Sequence, residues 1–342
     1  MKTLIACSII TALVITGCGN QSGREAEKEF PVLKGIFLGQ ELPGDTVRLF
    51  APGIISTGMN ERDAAFTWDG SEMFYTVFQD DLYVIMHTEE IDGTWTQPEA
   101  ASFSGVYNDA EPIFTANRKG LYFISNRPVD GKEKDPMDYD IWYTYKTLEG
   151  WIEPVNLGAP VNSSQLESFP SFTRAGTLYY SRNEPGSNRI MIFRSRLEEG
   201  KFTGSEALPD VINVAGDVFN ACIAPDESYL IFSSWRSTGS QGKCDYYISY
   251  RNKDDEWSEP ENLGPEINTD GDEISPHITP GGKYFFFAST GNPLKIKDPL
   301  KLLSPGFDID TILFPVRGNK YSTIPLNGSS DIYWVETASF VK

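Results

Sequence analysis

The sequence predicts an all-β protein, a β-propeller built from four-stranded antiparallel blades. Three observations carry this. Aromatic residues make up 13% of the 342 residues, and 30 Gly and 22 Pro punctuate them, the mixture that short strands and tight turns require. A two-strand hairpin pattern occurs five times. Measured from Ala64 through Pro112, Pro170, Asn220 and Pro276, the copies lie 48, 58, 50 and 56 residues apart, a blade period rather than a solenoid repeat.

The first strands read "AAFTW", "PIFTA", "PSFTR", "NACIA" and "PHITP". A turn signal follows each of them: Asp69-Gly70, Lys119-Gly120, Ala175-Gly176, Pro225-Asp226 and Gly281-Gly282. Such pairs close tight turns. The second strands are the aromatic runs "EMFYTV", "LYFISN", "TLYYSR", "YLIFSS" and "YFFFAS". Third strands open at Asp81, Asp140, Arg189, Asp245 and Asp331. Fourth runs carry Trp95, Trp151, Phe202 or Trp257, and unit five has none. The stretch "RLFAPGIIS", residues 48–56, precedes unit one and is expected to supply that missing strand, closing the ring with its N-terminal end. Five blades are countable and six are possible: residues 292–330 exceed an ordinary loop and hold either a sixth blade or an insertion over one mouth of the ring.

A twenty-residue sentence is spelled twice, "WIEPVNLGAPVNSSQLESFP" at 151–170 and "WSEPENLGPEINTDGDEISP" at 257–276. Because it repeats, it is expected to build the junction between blades. With "AEPIFTANRKGLYFISNR", "APDESYLIFSSWR" and "DIYWV", this W-x-E-P-x-N-L-G pattern resembles the WD40-like (PD40, TolB-like) β-propeller repeats of bacterial envelope proteins over residues 47–342. The resemblance implies a propeller that acts mostly as a binding platform.

Charge and targeting narrow the class. A net charge of −19 repels phosphate backbones, so no nucleic-acid partner is expected. Lys2, the apolar run 4–16 and "ITGC" ending at Cys18 resemble a bacterial lipoprotein signal. Residues 1–17 are then the signal peptide, Cys18 takes lipid, 18–46 form a tether and lead-in, and 47–342 form a single propeller domain. Gly19 after the Cys leans, by analogy, towards the outer membrane. Cys222 and Cys244 fall on the first and third strands of one blade, roughly 9–10 Å apart and beyond disulfide reach, so two free thiols are expected.

Function divides between two readings. Acids recur three positions before each unit's anchor, at Glu61, Asp109, Glu167, Asp217 and Glu273. Regular repetition makes them structural, accepting hydrogen bonds from backbone amides or from Arg127, Arg182 and Arg236 of neighbouring blades; the alternative is a cation-holding ring. The residues flanking each anchor should face the channel: Asp63 and Ala65, Glu111 and Ile113, Phe169 and Ser171, Phe219 and Ala221, Ser275 and His277. Asp63, Glu111 and His277 break the repeat and are the ligand-binding candidates. The first reading is a non-catalytic binding or scaffold module for an envelope protein or glycan, without cofactor. The second is a glycoside hydrolase or lyase using these three residues as acid and base. The two histidines, His87 and His277, lack metal-ligand spacing, so no metal is expected. The basic "KDPLK" at 297–301 is a candidate contact patch.

Overall fold

The structure is a computed structural model that describes residues 30–79, 81–115, 120–131, 135–187, 189–213, 216–235, 239–296 and 325–342. Five antiparallel sheets form the ring. Blade one comprises Glu61–Phe66, Glu72–Gln79, Leu82–Ile91 and Glu99–Ala100. Blade two comprises Asp109–Phe114, Leu121–Ser125, Asp140–Thr144 and Val155–Asn156. Blade three comprises Glu167–Phe172, Leu178–Asn183, Ile190–Ser195 and Glu206–Ala207, and blade four Val218–Ile223, Tyr229–Ser234, Asp245–Tyr250 and Glu261–Asn262. Blade five takes Glu273–Ile278, Tyr284–Ser289 and Asp331–Glu336 from its own unit and Arg48–Leu49 from the N-terminal side.

The N-terminal strand therefore closes the ring, with Arg48 opposite Trp334 and Leu49 opposite Tyr333. Five blades complete the circle. Glu61 N donates to Ser330 O at 2.9 Å, and Ser330 Oγ donates to Glu61 O at 3.0 Å, so blade five abuts blade one directly. Most of the 292–330 stretch, including "KDPLK", lies outside the described residues.

Each blade is sandwiched between two others, so its middle strands are apolar on both faces. Tyr229–Ser234 and Tyr284–Ser289 are buried throughout. At the closing seam Phe66 meets Phe286 at 4.7 Å and Phe50 meets Trp334 at 5.2 Å. Burying each such ring stabilises the fold by roughly 1.5–3 kcal/mol. The lead-in from Pro31 to residue 46 packs into this body. The compact unit begins at Pro31, and Phe37 and Leu38 are buried in the seam, Phe37 packing edge-on against Phe66 at 5.0 Å. Gly39 permits the turn, because a Cβ there would stand 2.3 Å from the Lys34 carbonyl oxygen.

The Trp runs differ from expectation. Trp95, Trp151 and Phe202 sit in a small hairpin that continues the third strand, opposite Glu90, Lys146 and Leu197 respectively. In blades one to four the true outer strand follows, and in every blade it is only two residues long. A short edge offers little template for pairing with another chain.

That brevity leaves a third-strand amide without a ladder partner, while the carbonyl of the same residue accepts from Leu263, Leu157 or Leu208 N, and the repeated sentence supplies the remedy. Asn268 accepts from Tyr246 N at 2.9 Å and donates to Tyr246 O at 3.1 Å and to Asn262 Oδ1 at 2.8 Å. Asn162 does the same for Ile141 and Asn156 in blade two. In blade three Asn213 accepts from Ile192 N and donates to Ile192 O. The side-chain amide imitates a strand residue where the strand has ended.

Candidate functional site

The inner strands share one distortion. In each blade the ladder between first and second strands shifts register, between Arg62 and Ala65, Ala110 and Ile113, Ser168 and Ser171, Phe219 and Cys222, and Ile274 and His277. At each bulge one non-Gly residue holds a left-handed backbone: Asp63, Glu111, Phe169, Asn220 and Ser275, with φ between 51° and 60°. Each costs about 1–3 kcal/mol. Pro follows in blades two, three and five, as bulges tolerate a residue without a ladder N–H.

Blade four is thereby one residue out of step with the sequence alignment. Val218 pairs with Ser234 as Glu61 pairs with Val77. So Val218, not Asp217, occupies the repeat-acid position, and Asp217 lies outside the strand, accepting from Ile190 N at 2.9 Å. The channel positions of blade four are Asn220 and Cys222, not Phe219 and Ala221. Blade four lacks both the acid that opens the strand in the other blades and the Pro that follows the bulge in blades two, three and five, so nothing local fixes its register.

Asp63, Glu111 and His277 line one cavity with Phe169, Ser171 and Cys222. Its volume is about 20 Å³, room for about one water. Asp63 Oδ2 accepts from Glu111 N at 3.3 Å and lies 3.4 Å from Arg62 Nε. Glu111 Oε2 accepts from Phe169 N at 2.5 Å. Each carboxylate thus holds the strained amide of the next blade. Among the described residues Asp63 Oδ1 and His277 Nε2 are buried without a hydrogen-bond partner. Burial pushes the Glu111 carboxyl up to about 8; Asp63 adds to this, and Arg62 and the Phe169 amide offset part of it. Burial pushes His277 down to about 4, so at neutral pH its imidazole is uncharged.

The repeat acids are buried. Glu61, Glu167 and Glu273 each accept from the backbone amide and hydroxyl of a residue four positions earlier, Thr57, Ser163 and Thr269. Asp109 instead pairs with Arg127 at 2.7 Å, an arginine of its own blade. Arg182 stacks over Phe193 at 3.8 Å, and Arg236 lies outside the described residues. Three acids also face a third-strand Asp across a seam, as Glu61–Asp331, Glu167–Asp140 and Glu273–Asp245. Burial, followed by Asp331, pushes Glu61 up to about 8. Burial pushes Asp331 up to about 7 and Glu167 up to about 7 against its Ser163 hydrogen bonds. Cys222 and Cys244 are both free and buried.

Around the mouth stand residues that sequence reasoning missed. Arg62 lies over the Tyr83 ring at 4.7 Å. Tyr139 is pushed up to about 12, first by burial and then by Tyr83 and Glu111 beside it. Trp235 is 49% exposed and its ring lies tilted against Phe219 at 4.4 Å. No spacing announces them, because they come from different blades: Arg62 and Tyr83 from blade one, Tyr139 from blade two and Trp235 from blade four.

The chain is a five-bladed β-propeller with a water-sized cavity among its inner strands, lined by both apolar and polar side chains. No protein-family profile and no curated protein matches it. Among solved structures it is similar to a putative TolB from Agrobacterium tumefaciens, 13% identical, covering 81% of this chain and 90% of that one, TM-score 0.46. It is similar to TolB from Acinetobacter baumannii, 16% identical, covering 67% of this chain and 48% of that one, TM-score 0.43. It is also similar to an endo-arabinase from Bacteroides thetaiotaomicron, 16% identical, covering 70% and 92%, TM-score 0.46. These are likenesses of chain path and say nothing of activity.

Proposed function

We propose that this chain is a lipid-anchored envelope β-propeller that binds a protein or glycan without transforming it. One observation carries the reading: Asp63, Glu111 and His277 meet in a cavity of about 20 Å³, and two of them already serve neighbouring backbone amides. A sugar ring does not fit there, so binding falls to the mouth. Trp235 and Tyr107, 49% and 39% exposed, offer the rigid amphipathic faces that stack on sugars or anchor protein contacts. The anchor rests on the "ITGC" motif ending at Cys18. Mass spectrometry of the mature N-terminus is expected to find a lipid-modified Cys18, and an unmodified terminus removes the anchor.

A second reading has its own support. Glu111, held protonated to about pH 8 beside Asp63, has the state a general acid needs. A panel of polysaccharides separates the two. Retention on a polysaccharide or partner without release of reducing sugar, weakened by about 10-fold or more in Trp235→Ala, supports binding. Release that disappears in Glu111→Gln makes the chain an enzyme.

A further inference from the structure

Away from the axis, blade one places two glutamates directly opposite each other. Glu72 begins the second strand and pairs in register with Glu89 of the third, while His87 pairs with Phe74. Side chains two apart share a face, so Glu72, His87 and Glu89 project from the same side of the sheet. Like charges at directly opposed positions destabilise a sheet unless a cation lies between them. One does: Lys146 reaches from blade two, its Nζ 3.2 Å from Glu72 Oε1 and 2.6 Å from Glu89 Oε2. His87 completes the group with Nε2 2.9 Å from Glu72 Oε1, and its ring is fixed by stacking on Phe74 at 4.4 Å. One ligand atom from each of Glu72, His87 and Glu89 lies within 4.8 Å of the others.

We propose that Glu72, His87 and Glu89 bind a borderline divalent transition-metal ion of the Zn²⁺ type, and that Lys146 is the resident cation it displaces. The donor set decides the class. One imidazole nitrogen and two carboxylate oxygens suit Zn²⁺ and its neighbours, whereas Ca²⁺ and Mg²⁺ take oxygen alone. Zn–N and Zn–O bonds of about 2.0–2.2 Å put tetrahedral ligand atoms about 3.3–3.5 Å apart, within reach of these side chains by small rotations. The His87–Glu72 hydrogen bond opens, the imidazole proton passes through solvent from Nε2 to Nδ1, and the metal takes the freed Nε2 lone pair. Lys146, 43% exposed, swings into water still protonated. A water completes the coordination. The three ligands all come from the two paired strands of one blade, which fixes their spacing. The metal exchanges an ion pair between blades one and two for bonds within blade one.

The test uses untagged, chelator-stripped protein and isothermal titration with Zn²⁺ at about pH 7.5, with Ca²⁺ for comparison. The wild-type chain is expected to take up one equivalent of Zn²⁺ and no Ca²⁺ at the site. Lys146→Met binds Zn²⁺ several-fold more tightly, because the competing cation is gone. His87→Gln and Glu89→Gln each weaken it by about 100-fold or more, since losing a direct ligand costs at least as much as losing its supporting partner. Glu89 is partly exposed, so an unchanged metal-free melting temperature in Glu89→Gln separates a lost ligand from a lost fold. Absence of saturable Zn²⁺ binding in the wild-type chain, binding that survives His87→Gln, or affinity untouched by Lys146→Met each overturns the proposal.

Discussion

Replacing Asn268 with alanine lowers the free energy of unfolding by about 1–3 kcal/mol, because the buried Tyr246 amide loses its acceptor, while Tyr246 O keeps Leu263 N at 3.1 Å. Tyr246 N and Tyr246 O sit on a third strand whose neighbour, Glu261–Asn262, has already ended. Asn268 is 2% exposed, so water does not replace its amide. Its Nδ2 also holds Asn262, which in turn donates to Asp245 at 2.7 Å, so the loss spreads to the crossing loop. Asn162→Ala in blade two behaves alike. Asn156→Ala costs less, since Asn156 is only partly buried. Denaturant unfolding at constant m-value checks the ranking. A loss at Asn268 below that of an exposed Asn elsewhere sinks the account, and the repeated sentence would then need another purpose.

Stability falls as pH rises through the neutral range. Glu61 and Glu111 are held up to about 8 and Asp331 and Glu167 to about 7, above the ordinary carboxyl value, so between the two values the folded chain carries protons that the unfolded chain has released. A group raised in this way contributes stability below its unfolded pKa and loses it as pH rises through its folded one. His277 has the opposite sign. Held down to about 4, it contributes above its ordinary value near 6.5 and loses that contribution as pH falls through 4. Above about pH 6.5 only the carboxyl effect remains. A carboxyl held to about 8 forfeits on the order of 2 kcal/mol between about pH 6.5 and 8.5. The melting temperature is expected to drop across that interval, and Glu61→Gln, neutral at every pH, flattens the drop. A flat or rising profile in the wild-type chain counts against the buried Glu61–Asp331 pair. The pair lies at the closing seam, where Asp331 accepts from Leu326 N at 2.7 Å and Ser330 is bonded to Glu61. Ionisation therefore loads the joint that completes the ring.

How much of this was legible in the sequence follows from distance along the chain. Turn pairs, aromatic runs and a period near fifty residues are local signals, and local signals repeated five times determine the blade, its three inner strands and the ring; the two-residue outer strands of blades one to four, without a pattern of their own, were misplaced onto the Trp runs. The strand at 48–49 that closes blade five was legible for the same reason, because unit five lacked an outer strand of its own. The bulge on the inner strand was not. It is shared by every blade, but in blade four no Pro follows it and no acid opens the strand, so that blade aligned one residue out of step, and Asp217 and Phe219 were given positions that belong to Val218 and Asn220.

The sequence by itself determined that this protein is a propeller, which residues break its repeat, and which asparagines recur where blades join. Only the tertiary structure decided what those residues do. Glu111 and Asp63 each carry the amide of a following blade, and Glu72, His87, Glu89 and Lys146 gather from three strands of two sheets. Burial and opposition set these roles, and both are relations between segments that the chain brings together only on closing the ring.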